Sequence, residues 1–232
     1  RIDGVKHFIS NAKEARFLVV FAKTDPEAGA RGVSAFVVET DSPGISISSP
    51  EKLMGILGAH AFEVAFDGVR VPAANRLGAE GTGFKTAMKV LDNSRLDVAA
   101  TALGIAEAAL ADATRWMRER QIGGEPIASK QGLQWMLADM KLRLEASWAL
   151  TLQALALRQA GQPFTLQSAM AKLHASEMVG FVTDAALQIH GGYGYTREMP
   201  LERYVRDARI LRIYEGSSEV QRNIIARMVL AD

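Results

Sequence analysis

The sequence predicts an α+β protein, with a small antiparallel β-barrel or sandwich domain over residues 1–72 and an antiparallel four-helix-type bundle over residues 73–232. Three observations lead there. Before Pro72 the apolar residues come in short runs rich in β-branched and aromatic side chains. After Pro72 they recur at helical spacing over long stretches. Glycine and proline cluster between the proposed elements, and no proline falls inside one.

The strand half is read first. Residues 17–22 and 33–38 are apolar runs, and turn formers fill 23–32 and 40–44 between and after them. Phe62-Glu63-Val64-Ala65-Phe66 alternates apolar and polar, the mark of a half-buried strand. Asp67-Gly68 predicts a tight hairpin into Val69-Arg70-Val71, which Pro72 ends. Short strands with no helices between them favour an antiparallel sandwich or barrel.

In the helical half, a stripe through Phe84, Met88, Leu91, Leu103, Leu110 and Met117 predicts one long helix to about Arg120. Gly-Gly-Glu-Pro at 123–126 separates it from a second helix bearing Leu133, Met140, Leu144 and Leu155, and Gly161-Gln162-Pro163 breaks the chain again. A third helix is apolar on more than one side, through Met170, Met178, Val182 and Ile189, and is expected to be the most buried. Two shorter helices follow, at about 200–212 and 218–230, with Ser218 and Gln221 spaced as a capping box. Trp116, Trp135 and Trp148 are expected in the core. Arg203, Arg206, Arg209 and Arg212, interleaved with Glu202 and Asp207, read as a solvated, salt-bridged face.

Composition closes off several functions. There are 27 basic against 26 acidic residues, so charge gives no argument for a nucleic acid or membrane partner. The chain has no cysteine, which excludes disulfides, thiolate nucleophiles and zinc–sulfur sites. His7, His60, His174 and His190 have no metal-ligand spacing, so no metal is expected. No apolar run is long enough for a membrane helix. The expected location is the cytoplasm, or the mitochondrial matrix in a eukaryote.

Three stretches stand out against this background. The first is Val69-Arg70-Val71-Pro72 with Gly81-Thr82-Gly83-Phe84 and Leu91-Asp92-Asn93-Ser94-Arg95. The second is Gln188-Ile189-His190-Gly191-Gly192-Tyr193-Gly194-Tyr195, and the third Ile213-Tyr214-Glu215-Gly216-Ser217-Ser218-Glu219. In that order, over a strand-then-bundle frame, they resemble the acyl-CoA dehydrogenase family across essentially the whole chain. The resemblance implies FAD as cofactor, an acyl-CoA thioester as substrate, an electron-transfer flavoprotein as acceptor, and a homo-oligomer, dimer or tetramer.

The chemistry so implied needs particular residues. Making an α,β-enoyl thioester removes a weakly acidic α-proton, which calls for a positioned carboxylate and for donors at the thioester oxygen. Glu215 is the expected base. Tyr214 and Gly216 flank it at the substrate, and the Gly216 backbone allows close approach. Some family members carry the base just before the arginine of the first bundle helix. That position is Ser94 here, which cannot accept the proton. Asp92 and Arg95 match positions that contact the CoA end of the substrate, the bland alternative being an i, i+3 surface ion pair. For the flavin, Phe8 and Ser10 match residues beside the isoalloxazine. Arg120, Gln188, Gly191 and Gly192 match contacts to the ADP portion across a subunit interface. Ser217 and Glu219 match ADP contacts near the catalytic loop. Where the family has a Phe, an Arg and a Ser, this chain has Ile122, Leu57 and Ala59. No stretch corresponds to the family's N-terminal helical domain, so the chain is expected to be a fragment. Two alternatives stay open. One is an acyl-CoA oxidase, which reacts with air. The other is a non-catalytic subunit or scaffold that keeps the bundle.

Overall fold

The computed structural model describes residues 1–231. The chain divides into two compact units, Arg1–Val90 and Leu91–Asp232. The first holds β1 (Ile2–Ser10), β2 (Phe17–Lys23), β3 (Val33–Glu39), β4 (Ile45–Ile47), β5 (Ala61–Val69) and β6 (Arg76–Leu77). They form two three-stranded antiparallel sheets, ordered β1-β5-β4 and β2-β3-β6. The alternation read in residues 62–66 is the core face of β5: Phe62, Val64 and Phe66 are buried with Val20 and Val38 from the other sheet.

Asp67-Gly68 does not turn the chain, contrary to the hairpin expectation. β5 continues through both residues, pairing Phe66 with Gly4 and Val69 with Ile2, so two residues stand opposite Asp3 alone. Gly68 is left-handed, with φ +62°, and its N–H donates to Asp3 Oδ1 at 2.8 Å. The same dipeptide suits a β-bulge because both features need a left-handed residue. The strand unit also runs past Pro72. Residues 76–77 pair with β3, and Asn75 Nδ2 donates to the Val37 carbonyl at 3.2 Å.

α1 (Gly83–Glu119) starts in the first unit, where glycine is required. A Cβ at Gly83 would lie 2.6 Å from the Ser34 carbonyl carbon, and one at Gly81 would lie 2.3 Å from the Arg31 carbonyl oxygen. The second unit continues with a two-residue-per-strand hairpin, β7 (Gln121–Ile122) and β8 (Glu125–Pro126). α2 (Gln131–Gln159), α3 (Thr165–His190), α4 (Leu201–Arg209) and α5 (Ser218–Val229) follow. α3 is the hub, packed by α2, α4 and α5 and buried along its whole length. Ala99, Ala102, Ala106 and Ala109 of α1 and Ala171 and Ala175 of α3 are fully buried, and small residues there let helices approach closely. Met140 and Leu144 of α2 contribute roughly 1.5–3 kcal/mol each by burial.

Two further expectations are corrected. Trp116 and Trp148 pack against the core, but Trp135 is 63% exposed on α2. The cap of α5 is Ser217, whose Oγ accepts the Val220 N–H at 3.4 Å. Ser218 lies one residue inside, buried, and donates to Glu177 at 2.6 Å. Of the arginine stripe, Arg206 pairs with Glu202 at 2.6 Å, while Arg212 donates to the Ser176 and Glu177 carbonyls. Among the described residues no helix is long and apolar enough to cross a membrane, and no three His, Asp or Glu side chains gather as for a metal.

Candidate active site

Glu215 sits in the short loop between α4 and α5. Its backbone is left-handed at φ +54°, uncommon for a residue with a Cβ, and Gly216 follows at φ +88°. Glycine suits 216 because of that left-handed φ, and a Cβ there would also press on Gln221 Nε2 at 2.4 Å. The loop is fastened from two sides. Gln221, fully buried in α5, donates Nε2 to the Glu215 carbonyl at 3.1 Å and to the Gly216 carbonyl at 3.0 Å. Lys172, fully buried in α3, donates Nζ to the Gly216 carbonyl at 2.7 Å.

Opposite the loop, α1 brings Ser94, whose hydroxyl donates to Glu215 Oε2 at 2.5 Å. That contact holds the Glu215 side chain in one rotamer. Oε1 is then the oxygen left to accept a proton. Tyr214, 37% exposed, has its phenol pushed up by burial and by the Glu215 charge. Next to Ser94 on α1, Arg95 pairs with Asp92 at 2.6 Å, and Asp92 accepts from Thr165 at 2.7 Å. This is no surface pair, because Arg95 is only 4% exposed. Arg95 Nε and Gln221 Oε1 are buried without a hydrogen-bond partner, which marks places where water or a ligand completes the network.

A second cluster surrounds the C-terminal end of α3. Gly191 and Gly192 have open space where a Cβ would stand, and the Gly191 N–H caps α3 on the Gln188 carbonyl. They line a cleft of about 400 Å³ with Trp116, Arg120, Ile122 and Tyr193. Trp116 stacks on His190 at 5.0 Å, and the Arg120 guanidinium lies 5.6 Å from the Tyr193 ring centre. His190 Nδ1 bonds the Ala186 carbonyl at 2.7 Å, so that nitrogen carries the proton. The Gln188 side chain is exposed and does not line the cleft. Ser217 and Glu219 lie together at the start of α5, where the Ser217 hydroxyl holds the Glu219 carboxyl below its usual range.

Phe8 and Ser10 belong to the first unit. Phe8 is left-handed at φ +56° and 67% exposed, in a register shift of β1 against β5 between Lys6 and Ile9. Such a bulge re-aims an aromatic outward. Ser10 is exposed at the end of β1, paired with Ala61.

The structure thus brings Glu215, Gly216, Tyr214, Asp92 and Arg95 into one neighbourhood and Arg120, Gly191 and Gly192 into another. Sequence reasoning missed Lys172, the inward turn of Gln221 and the Ser94–Glu215 contact. For Lys172 a signal existed: it lies among Ser168, Ala171, Ala175 and Ser176, positions spaced as one buried helical face.

Comparison with known proteins agrees in both halves. Residues 81–230 match the acyl-CoA dehydrogenase C-terminal domain, and residues 1–69 match the acyl-CoA dehydrogenase middle domain. The chain is 51% identical over 229 residues to an acryloyl-CoA reductase (NADH) of Anaerotignum propionicum, covering 99% of this chain and 58% of that protein. It superposes on butyryl-CoA dehydrogenase of Megasphaera elsdenii with a TM-score of 0.95 at 46% identity, covering 98% of this chain and 60% of that one. A chain from the solved structure of the electron transferring flavoprotein of Acidaminococcus fermentans gives 0.96 at 46% identity, covering 99% and 60%. The chain therefore spans a little over half the length of the relatives it matches. With both domain matches in sequence order and identities near one half, the chain belongs to the acyl-CoA dehydrogenase family.

Proposed function

We propose that the protein carrying this chain oxidises a short acyl-CoA thioester to its α,β-enoyl form, with Glu215 as the base and FAD as the electron acceptor. The observation that carries the reading is the Glu215 loop. A carboxylate is held in a left-handed backbone, fastened through its own carbonyl, with one oxygen fixed by Ser94. Strained conformations of this kind persist where the surroundings over-determine them, and they cluster at active sites.

In the forward direction the α C–H bond breaks and its proton passes to Glu215 Oε1. The electron pair left behind forms the new C=C bond as the β-hydrogen leaves with its own pair. FAD, when bound, supplies the acceptor for that hydride. The backbone N–H of Glu215 is suited to the thioester oxygen, where charge develops. Gly216 keeps side-chain bulk away from the thioester, and Tyr214 contributes to excluding water. Asp92 and Arg95 are assigned to the CoA end, where the unpartnered Arg95 Nε has hydrogen-bonding capacity to spare.

The residues of the α3 cleft fit the ADP part of FAD. Arg120 offers a cation for the pyrophosphate, Gly191 and Gly192 offer open backbone, and Trp116 and Tyr193 offer aromatic faces. Gln188, Ser217 and Glu219 are assigned to the same portion, and Phe8 and Ser10 to the isoalloxazine. The acceptor in turnover is proposed to be an electron-transfer flavoprotein, and the assembly a homo-oligomer.

Anaerobic mixing of the flavin-loaded protein with butyryl-CoA tests this. The flavin absorbance near 450 nm should fall as the enoyl-CoA appears in equal amount. A flavin-loaded protein that no acyl-CoA bleaches would leave the scaffold reading instead. Rapid reoxidation by air would move the assignment to an oxidase. The acryloyl-CoA reductase relative supports a second reading, net flow in the reverse direction. The same groups serve both directions by microscopic reversibility, so the net direction is read in turnover, from whether electrons supplied by NADH consume acryloyl-CoA.

A further inference from the structure

Lys172 has no part in the chemistry above, yet its position is hard to explain as packing. Its side chain is fully buried in α3, where an ammonium loses its hydration. Desolvation pushes its pKa down to about 8 against the pull of Glu215, Glu177 and Glu219, with Arg95 adding repulsion. The Gly216 carbonyl it bonds already accepts from Gln221 at 3.0 Å, so Lys172 is not needed to satisfy that oxygen. A hydrophobic side chain of similar length would fill the same space without the burden of a buried charge.

We propose that Lys172 is a positioning residue for Glu215: its ammonium holds the Gly216 carbonyl, keeps the left-handed Glu215 loop in register with Ser94, and sets a positive charge beside the working carboxylate. This inference rests on the reading of Glu215 as the base. Lys172 touches no reacting atom. It acts through the loop, sharing the Gly216 carbonyl with Gln221, which also holds the Glu215 carbonyl. The doubly anchored peptide then fixes where the Glu215 carboxylate stands. A displacement of about 1 Å at such a group costs about 10² in rate.

Lys172→Met in the flavin-loaded protein tests the proposal by three readouts. The rate of flavin reduction by acyl-CoA is expected to fall about 10²-fold. Acyl-CoA affinity should stay within about threefold, because the CoA contacts lie elsewhere. The melting temperature at pH 7 should stay level or rise, since a buried charge is gone. A purely structural lysine predicts the opposite pattern, with melting temperature and binding lost together, and that result overturns the proposal. So does a reduction rate within about threefold of the parent. Should Lys172→Met not fold, Lys172→Gln keeps a donor without the charge and is judged by the same rate and melting criteria. Glu215→Gln runs beside them. If it is inactive while the Lys172 variants are not impaired, this inference alone fails. If Glu215→Gln stays active, the reading of the base fails first.

Discussion

A lysine inside a helix bundle, a glutamate in a left-handed loop and a serine on a neighbouring helix meet at the proposed active site. Lys172 makes a pH prediction that needs no substrate. Its pKa is about 8 in the folded chain against an ordinary value of 10.5. Between those limits the unfolded chain holds a proton that the folded chain has released, so this group's contribution to stability rises with pH across that window. The Lys172→Met variant lacks the term. Its melting-temperature advantage over the parent should be largest below pH 8 and should shrink toward pH 10.5, as followed by circular dichroism. An advantage independent of pH would show that Lys172 titrates elsewhere. At this scale the sequence showed which residue types were gathered but not what they touch. Ser94 could be dismissed as a base from its chemistry alone, while its hydroxyl on Glu215 depends on how α1 and the α4–α5 loop approach in space.

At the scale of elements, the glycines before α1 are a sharp test. Gly83 packs directly on the β3 backbone, so Gly83→Ala should destabilise the fold by about 1–3 kcal/mol, as for other overpacked sites. Denaturant titration of the first unit's signal measures it, and a change under about 0.5 kcal/mol would contradict the packing described. Leu144→Ala in α2 removes a side chain that is 2% exposed and should cost about 2–5 kcal/mol. Element types were legible because periods of two and of 3.6 residues differ plainly, as residues 62–66 and the α3 stripe show. Element ends were less so. Asp67-Gly68 suits a hairpin and a bulge equally, and only the pairing of β5 with β1 decides between them. Ser217 and Ser218 are both good caps. Glu177 takes the Ser218 hydroxyl as a donor, which leaves the cap to Ser217.

At the scale of the molecule, α2 carries an apolar surface that the chain itself does not cover. Trp135 is 63% exposed, Leu142 69% and Leu152 55%, although tryptophan on a long apolar helix reads as core from sequence. The proposed homo-oligomer accounts for that, since apolar faces of closed assemblies are buried by a second copy. Light scattering should find the parent protein as a dimer or larger. Trp135→Glu with Leu142→Glu should shift it toward monomer, and a stable flavin-loaded monomeric parent would contradict the proposal. Sequence alone cannot separate a core residue from one covered by another copy, because both lie on the same apolar stripe.

The central claim is that Glu215 takes the α-proton, and Glu215→Gln tests it most directly. Glutamine is nearly isosteric, so the loop held by Lys172 and Gln221 should keep its shape, and Ser94 cannot replace the lost base. The measurement is anaerobic flavin bleaching after mixing with acyl-CoA, beside a separate binding titration. The account predicts a loss of at least about 10² to 10⁴ in rate with acyl-CoA affinity nearly unchanged. Bleaching within about tenfold of the parent rate would show that another group accepts the proton.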